Sequence, residues 1–252
     1  MTDREELAAA FAPGRVWPAE VWVCGGDGTL GDLAQRLPGG ARPIVGLLPT
    51  GTGNVVARTL RIPLGIAAAL EVAWSAPPRR LDLAWMNGRA FTFMASVGID
   101  GELAATVAAR RRGPMRRTDW VKAAWSLGRA ARETPFTVAA DGRPLGTFRY
   151  AALFNCGLYA GSFPVCPSAR VDDGRLDLLL LRAAIAPRFI RVVLAALRGR
   201  AAALPDAQLV SAREVVVEGA TAVQVDGDPA PGGRLAFSVD AEPLAIRAPA
   251  PV

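Results

Sequence analysis

Val21-Trp22-Val23-Cys24-Gly25-Gly26-Asp27-Gly28-Thr29 and, further on, Ile44-Val45-Gly46-Leu47-Leu48-Pro49-Thr50-Gly51-Thr52-Gly53-Asn54 share one design. In each, an apolar strand-like run gives way to a glycine turn and then to a helical stretch. Glycine lets backbone amides approach a ligand closely and take positive φ. The first turn of a helix offers unpaired N–H groups and the positive end of its dipole. Two such turns at one edge of one sheet make a pocket for a polyphosphate. A single Gly-Gly-x-Gly turn is also common at tight strand-to-helix connections, so the pair says more than either turn alone. Asp27 adds a constraint, because a carboxylate beside a phosphate repels it unless a divalent cation lies between them. The turn therefore points to Mg²⁺ and a nucleotide, with Thr29 and Thr52 as hydroxyl donors. The competing reading makes Asp27 an Asx turn or helix N-cap and Asn54 a cap.

Outward from the turns, residues 1–80 read as an α/β domain. Strands are expected at 19–24 and 43–48, and helices at 29–37, 54–60 and 65–75, after a short helix ending near Phe11. Strands alternating with helices imply a parallel sheet. From 81 to 252 the texture is that of a mainly antiparallel β-sandwich-like domain. Asn87-Gly88 and Asp141-Gly142 are hairpin signals, joining 81–86 to 90–97 and 136–140 to 145–155. A helical insert is expected over 100–133 and a helix over 187–198. Further strands are expected at 175–182, 208–218, 221–226, 234–239 and 243–247.

The charge is +6, carried almost wholly by arginine, with Lys122 the single lysine. Arginine forks suit phosphate or an anionic membrane face, although codon bias in a GC-rich genome explains them equally. Histidine is absent, which excludes a Ser-His-Asp triad and any imidazole zinc site. Cys24, Cys156 and Cys166 lack knuckle spacing and read as reduced, buried thiols of a cytosolic protein. No apolar run reaches the roughly 18 to 20 residues of a membrane span. Arg110-Arg111-Arg112 and Arg116-Arg117 precede an apolar stripe on Trp120–Arg132, which suits either a membrane surface or a core-facing helix. No nucleic-acid motif accompanies them, so no nucleic-acid partner is expected.

The sequence resembles the diacylglycerol kinase catalytic family, which includes bacterial diacylglycerol kinases, other bacterial lipid kinases and sphingosine kinases. The resemblance rests on Gly25-Gly26-Asp27-Gly28-Thr29, on Gly51-Thr52-Gly53-Asn54 followed by Ala57-Arg58, and on Phe93–Asp100. It continues through Asn155–Gly161, Pro167–Asp177 and Val223–Pro229, in the family's order. It implies a nucleotide domain with a β-sandwich-like second domain packed against it and an active site in the cleft between them. It also allows the final strand to return toward the first domain.

By the same resemblance the expected activity is transfer of the ATP γ-phosphoryl group to a hydroxyl of diacylglycerol or a related lipid, at a cytoplasmic membrane surface. The phosphate set would be Gly25, Gly26, Asp27, Gly28, Thr29, Leu30, Gly31, Thr52, Gly53 and Asn54. Asp228 is the expected base, where the family usually has glutamate, with Asp27 as a Mg²⁺–water ligand or as the base itself. A solvated hairpin residue is the plainer reading of Asp228. Asp173, with the carbonyls of Arg170 and Arg175, would hold a structural Mg²⁺; an empty turn is the alternative.

The chain also departs from the family. Members normally start some tens of residues earlier, with a first strand and an Asn-Pro-type turn, so the parallel sheet is expected to lack its usual first strand. Val55 stands where many members have aspartate, and Gly31 where many have asparagine. Two other readings stay open: a catalytically weak nucleotide- or lipid-binding member, and a soluble-substrate kinase of the NAD kinase or phosphofructokinase type.

Overall fold

The computed structural model describes residues 17–37, 42–110, 133–159 and 163–251. The expected helix ending near Phe11, the arginine run beyond Arg110 and the Trp120–Arg132 stripe lie outside the described residues.

The first lobe is built on β1 (Glu20–Gly25), α1 (Asp27–Ala34), β2 (Ile44–Pro49), α2 (Val55–Thr59), α3 (Ile66–Ser75) and β3 (Pro78–Leu81). β1 and β2 run parallel, with Glu20 opposite Ile44 and Gly25 opposite Pro49. Val23, Val45 and Leu47 are buried against Leu30, Leu33, Val56 and Leu60 of the helices. A strand from the far end of the chain, β16 (Leu244–Arg247), inserts between β2 and β3, giving the order β1-β2-β16-β3. It pairs parallel with β2 and antiparallel with β3. Among the described residues β2 is the one strand neighbour of β1, and Trp22 of β1 stands exposed in edge-to-face contact with Trp74 of α3.

The second lobe opens with β4 (Ala84–Met86), β5 (Arg89–Phe91), β6 (Met94–Val97) and α4 (Ile99–Arg110). It continues through β7 (Phe136–Ala140), β8 (Arg143–Phe148), β9 (Tyr150–Phe154) and β10 (Leu176–Leu181). A 3₁₀ turn (Ala186–Arg188) leads into α5 (Phe189–Leu197), and a second (Ala201–Ala203) precedes β11 (Ala207–Ala212). β12 (Glu214–Ala220), β13 (Val223–Val225), β14 (Asp228–Ala230) and β15 (Gly233–Val239) complete it. Two antiparallel six-stranded sheets result, β11-β10-β9-β6-β13-β14 and β5-β4-β15-β12-β7-β8.

Three expected strands are each broken in two. The run 90–97 divides at Thr92-Phe93, 145–155 at Arg149 and 208–218 at Arg213, and in each case the halves join different sheets. A run of strand-forming residues does not reveal where the chain turns the corner between packed sheets. The helix expected at 29–37 begins at Asp27 instead, because Gly26 alone completes the turn.

β9 and β10 are apolar on both faces for a physical reason. Leu153, Leu176, Leu178 and Leu180 face the core between the two sheets. Ala152, Phe154, Leu179 and Leu181 face a second core shared with the first lobe. A sheet covered on both sides loses the apolar-polar alternation of a half-exposed one. All three cysteines are free thiols; Cys156 and Cys166 are buried, but Cys24 is exposed at the end of β1, against the expectation of three buried thiols.

Candidate functional site

The register of β1 and β2 brings both glycine turns to the same, C-terminal edge of the parallel pair, where α/β sheets bind their ligands. The turns interlock. Thr50 N–H donates to Gly25 O at 3.0 Å, and a Cβ on Gly51 would stand 2.5 Å from the Gly26 Cα. A Cβ on Gly25 would overlap the Thr29 side chain at 2.4–2.8 Å. Glycine at 26 and 51 is therefore a packing requirement between the two turns, and at 25 one within the first turn.

Asp27 occupies the first turn of α1, but its carboxylate serves α2. Its Oδ2 accepts Val55 N–H at 2.9 Å and its Oδ1 accepts Val56 N–H at 3.0 Å. Burial holds its pKa above the ordinary value, opposed by the backbone donors of Val56 and Val55. This is the capping reading of Asp27, realised across two helices. α1, by contrast, starts at Gly26 with no side-chain cap. Its first-turn amides are left for an anion, beside the exposed Gly28 and Thr52. Those donors, with the carboxylate held at their edge, fit a metal-bound polyphosphate.

Two members of the expected phosphate set are turned elsewhere. The Leu30 side chain is fully buried and its N–H bonds Gly26 O within the helix, so it serves the core. Gly31 lies against the second lobe, where its Cβ would be 3.6 Å from Asp226 Oδ2. Asn54 takes the left-handed conformation at φ 49° and donates to Pro49 O at 3.2 Å and Gly51 O at 2.7 Å, which shapes the second turn from within. Gly53 abuts the Asp27 carboxylate, at 3.2 Å from its own would-be Cβ.

Asp226, on the β13–β14 turn, comes against α1 from the second lobe. Its Oδ2 accepts Thr92 N–H at 2.7 Å and Thr92 Oγ1 at 3.1 Å; its Oδ1 accepts Phe93 N–H at 3.0 Å and Met94 N–H at 3.1 Å. Burial pushes its pKa up to about 6 against these donors, and the charge of Asp27 pushes the same way. The two lobes thus bring carboxylates toward each other, with the buried Cys156 thiol feeling both. Asp228, the expected base, lies two residues on. Its side chain is 54% exposed and stands 3.6 Å from Arg89. Arg89 sits between two residues clasped by the first lobe: Gln35, closing α1, donates to Gly88 O at 2.9 Å and accepts Ala90 N–H at 2.7 Å. Asp228 is therefore an accessible carboxylate at the seam between the lobes.

The expected structural Mg²⁺ position is a tight loop. Asp173 Oδ1 accepts Arg175 N–H at 3.0 Å. The Arg170 side chain pairs with Asp172, and that of Arg175 with Ser211 and Asp141. Buried Asp82, in the link between β3 and β4, closes on the loop, its Oδ2 accepting Gly174 N–H at 2.6 Å. Burial raises the Asp82 pKa, as do the charges of Asp173 and Asp172. Among the described residues no three His, Cys, Asp or Glu side chains form a metal-holding group.

Several site residues escaped the sequence reading. Asp82 carried a usable signal, a lone carboxylate between Leu81 and Leu83. Asp226 and Gln224 lie inside the Val223–Pro229 motif, where the resemblance points to Asp228 instead. Gln35 carries no signal. Gln224 braces the turn by accepting Gly227 N–H at 2.8 Å and donating to Ser96 Oγ at 2.9 Å. Asp100, beyond Ser96, accepts the Tyr150 hydroxyl at 2.8 Å.

The chain also resembles known proteins in sequence and in fold. Residues 2–86 match the family model described as diacylglycerol kinase catalytic domain. Residues 94–249 match the one described as YegS C-terminal NAD kinase beta sandwich-like domain. A Pseudomonas aeruginosa protein named probable lipid kinase YegS-like is 31% identical over 252 residues, covering 98% of this chain and 80% of its own length. A Mycobacterium tuberculosis diacylglycerol kinase is 30% identical over 234 residues, covering 89% and 74%. The fold matches a crystal structure of a diacylglycerol kinase from Bacillus anthracis with a TM-score of 0.75, at 23% identity over 98% of this chain and 82% of that one.

Proposed function

This chain belongs to the diacylglycerol kinase family of lipid kinases, and from that premise we propose that it transfers the ATP γ-phosphoryl group to a hydroxyl of diacylglycerol or a related lipid. The observation that carries the proposal is the pair of interlocked glycine turns at the C-terminal edge of the parallel strands, with Asp226 of the second lobe set against Gly31 of α1. Bound Mg·ATP would supply the phosphoryl group and part of its charge neutralisation. The uncapped amides of α1 and the Thr29 and Thr52 hydroxyls would hold phosphate oxygens. Asp27 would orient Mg²⁺ through water from its place between the two turns.

The two carboxylates of the β13–β14 turn divide their work. Asp226 accepts four donors, which fills its lone pairs and makes it a brace. Asp228 is accessible and pairs only loosely with Arg89. It would take the proton of the lipid hydroxyl. Asp173 with the Arg170 and Arg175 carbonyls would hold a second, structural Mg²⁺ beside Asp82, where neighbouring carboxylates gain from a cation.

Phosphorylation of diacylglycerol in mixed detergent micelles with labelled ATP tests the reading. Turnover is expected, and Asp228→Asn should lower it by about a hundredfold or more while leaving Mg·ATP affinity in place. No product from diacylglycerols, sphingoid bases or ceramides, with Mg·ATP still bound, would overturn it. That outcome would favour a nucleotide-binding member with little transfer. The buried Val55 side chain, standing where many members carry aspartate, is the observation behind this second reading.

A further inference from the structure

One helix of the second lobe meets solvent with the wrong side chains. On α5, Ile190 is 59% exposed, Leu194 42% and Leu197 41%, at a spacing that lines them up along one stripe. Arg191 and Arg198 flank the stripe and Arg200 follows it, all three exposed. The opposite face is also apolar: Phe189, Val192, Ala195 and Ala196 pack on the core shared with the first lobe. A surface helix of a water-soluble domain is ordinarily polar on its outer face.

We propose that α5 and the 3₁₀ turn after it form a docking surface for an anionic bilayer. Ile190, Leu194 and Leu197 would enter the acyl region, with Arg191, Arg198 and Arg200 at the level of the lipid phosphates. The inference rests on the lipid-kinase reading and gives its membrane contact a location. Charge selects the occupant. From Ala183 to Pro205 the sequence contains no Asp or Glu, and among the described residues the one arginine neutralised there is Arg188, by Asp206. Apolar side chains ringed by unneutralised arginines match an anionic interface. A second copy docked face to face would set arginine against arginine. A groove of about 690 Å³ runs beside α5, and Ile190, Leu194, Arg191, Arg198 and Arg200 share its lining.

Flotation of the full chain with vesicles separates the outcomes. Wild type should float with equimolar phosphatidylcholine and phosphatidylglycerol, less with phosphatidylcholine alone, and less again at high salt. Ile190→Glu/Leu194→Glu and Arg191→Gln/Arg198→Gln should each weaken binding by about tenfold or more, with unchanged melting temperature and Mg·ATP affinity. Binding of both variants as tight as wild type, or no binding by wild type, overturns the proposal. So does sedimentation velocity showing that the variants dissociate a dimer while still floating. The two readings fail separately. A wild type that floats but phosphorylates no lipid in micelles sinks the reaction alone; one that phosphorylates lipid in micelles while the variants still float sinks the docking surface alone.

Discussion

At the scale of single residues the site is governed by what has no room to change. Gly26 and Gly51 meet back to back, so a methyl group on Gly51 would sit 2.5 Å from backbone. Backbone cannot step aside as a flexible side chain can. Gly51→Ala should cost about 1–3 kcal/mol of stability and weaken Mg·ATP binding, read by thermal unfolding and calorimetry; Gly28→Ala, whose Cβ meets no protein atom, is the control for stability. Asp226 makes a second statement at this scale. Its pKa is raised to about 6 from 3.8, so the folded state binds the proton more tightly than the unfolded chain. The stability this supplies is full below about pH 4, falls as pH rises and is gone above about pH 6, a span of about 3 kcal/mol. Asp226→Asn removes that slope and also removes acceptor capacity. Urea midpoints should show the variant well below wild type at pH 4, with the gap narrowing toward pH 7; parallel curves would refute this account.

Among the elements, α2 is too short to stand alone and is pinned by a residue of another helix. Asp27 begins α1 yet caps Val55 and Val56, so one carboxylate fixes the distance between the two turns. Asp27→Ala should cost about 1 kcal/mol or more and abolish transfer, whereas Asp27→Asn should recover part of the stability and little of the transfer. A variant equal to wild type in turnover would remove Asp27 from the site. Elements also show what the sequence could disclose. Asn87-Gly88 and Asp141-Gly142 were readable as hairpins because both residues of each turn take positive φ, a demand that few residue pairs meet. The glycine turns were readable because strand, turn and helix follow one another locally. The corners at Arg149 and Arg213 were not, since a strand changing sheets keeps the same local preferences on either side. Asp226 was hidden for a related reason: its four donors lie more than a hundred residues away in the chain.

In the whole molecule the two lobes share an apolar core and a few specific contacts at its edge. Gln35 imitates a strand against Gly88 and Ala90, and Asp226 lies beside Gly31. Gln35→Ala should loosen the seam next to Asp228, seen as faster amide exchange at Ala90 and a lower kcat with little change in stability. Unchanged exchange there would show that Gln35 does not hold the lobes in register.

The insertion of β16 between β2 and β3 has a consequence for biosynthesis. Domains generally finish folding in the order in which they leave the ribosome. Here the lobe translated first has a gap in its sheet that only Leu244–Arg247 can fill, so it is completed last. Until those residues emerge, the nascent chain holds two unsatisfied strand edges open beside its glycine turns.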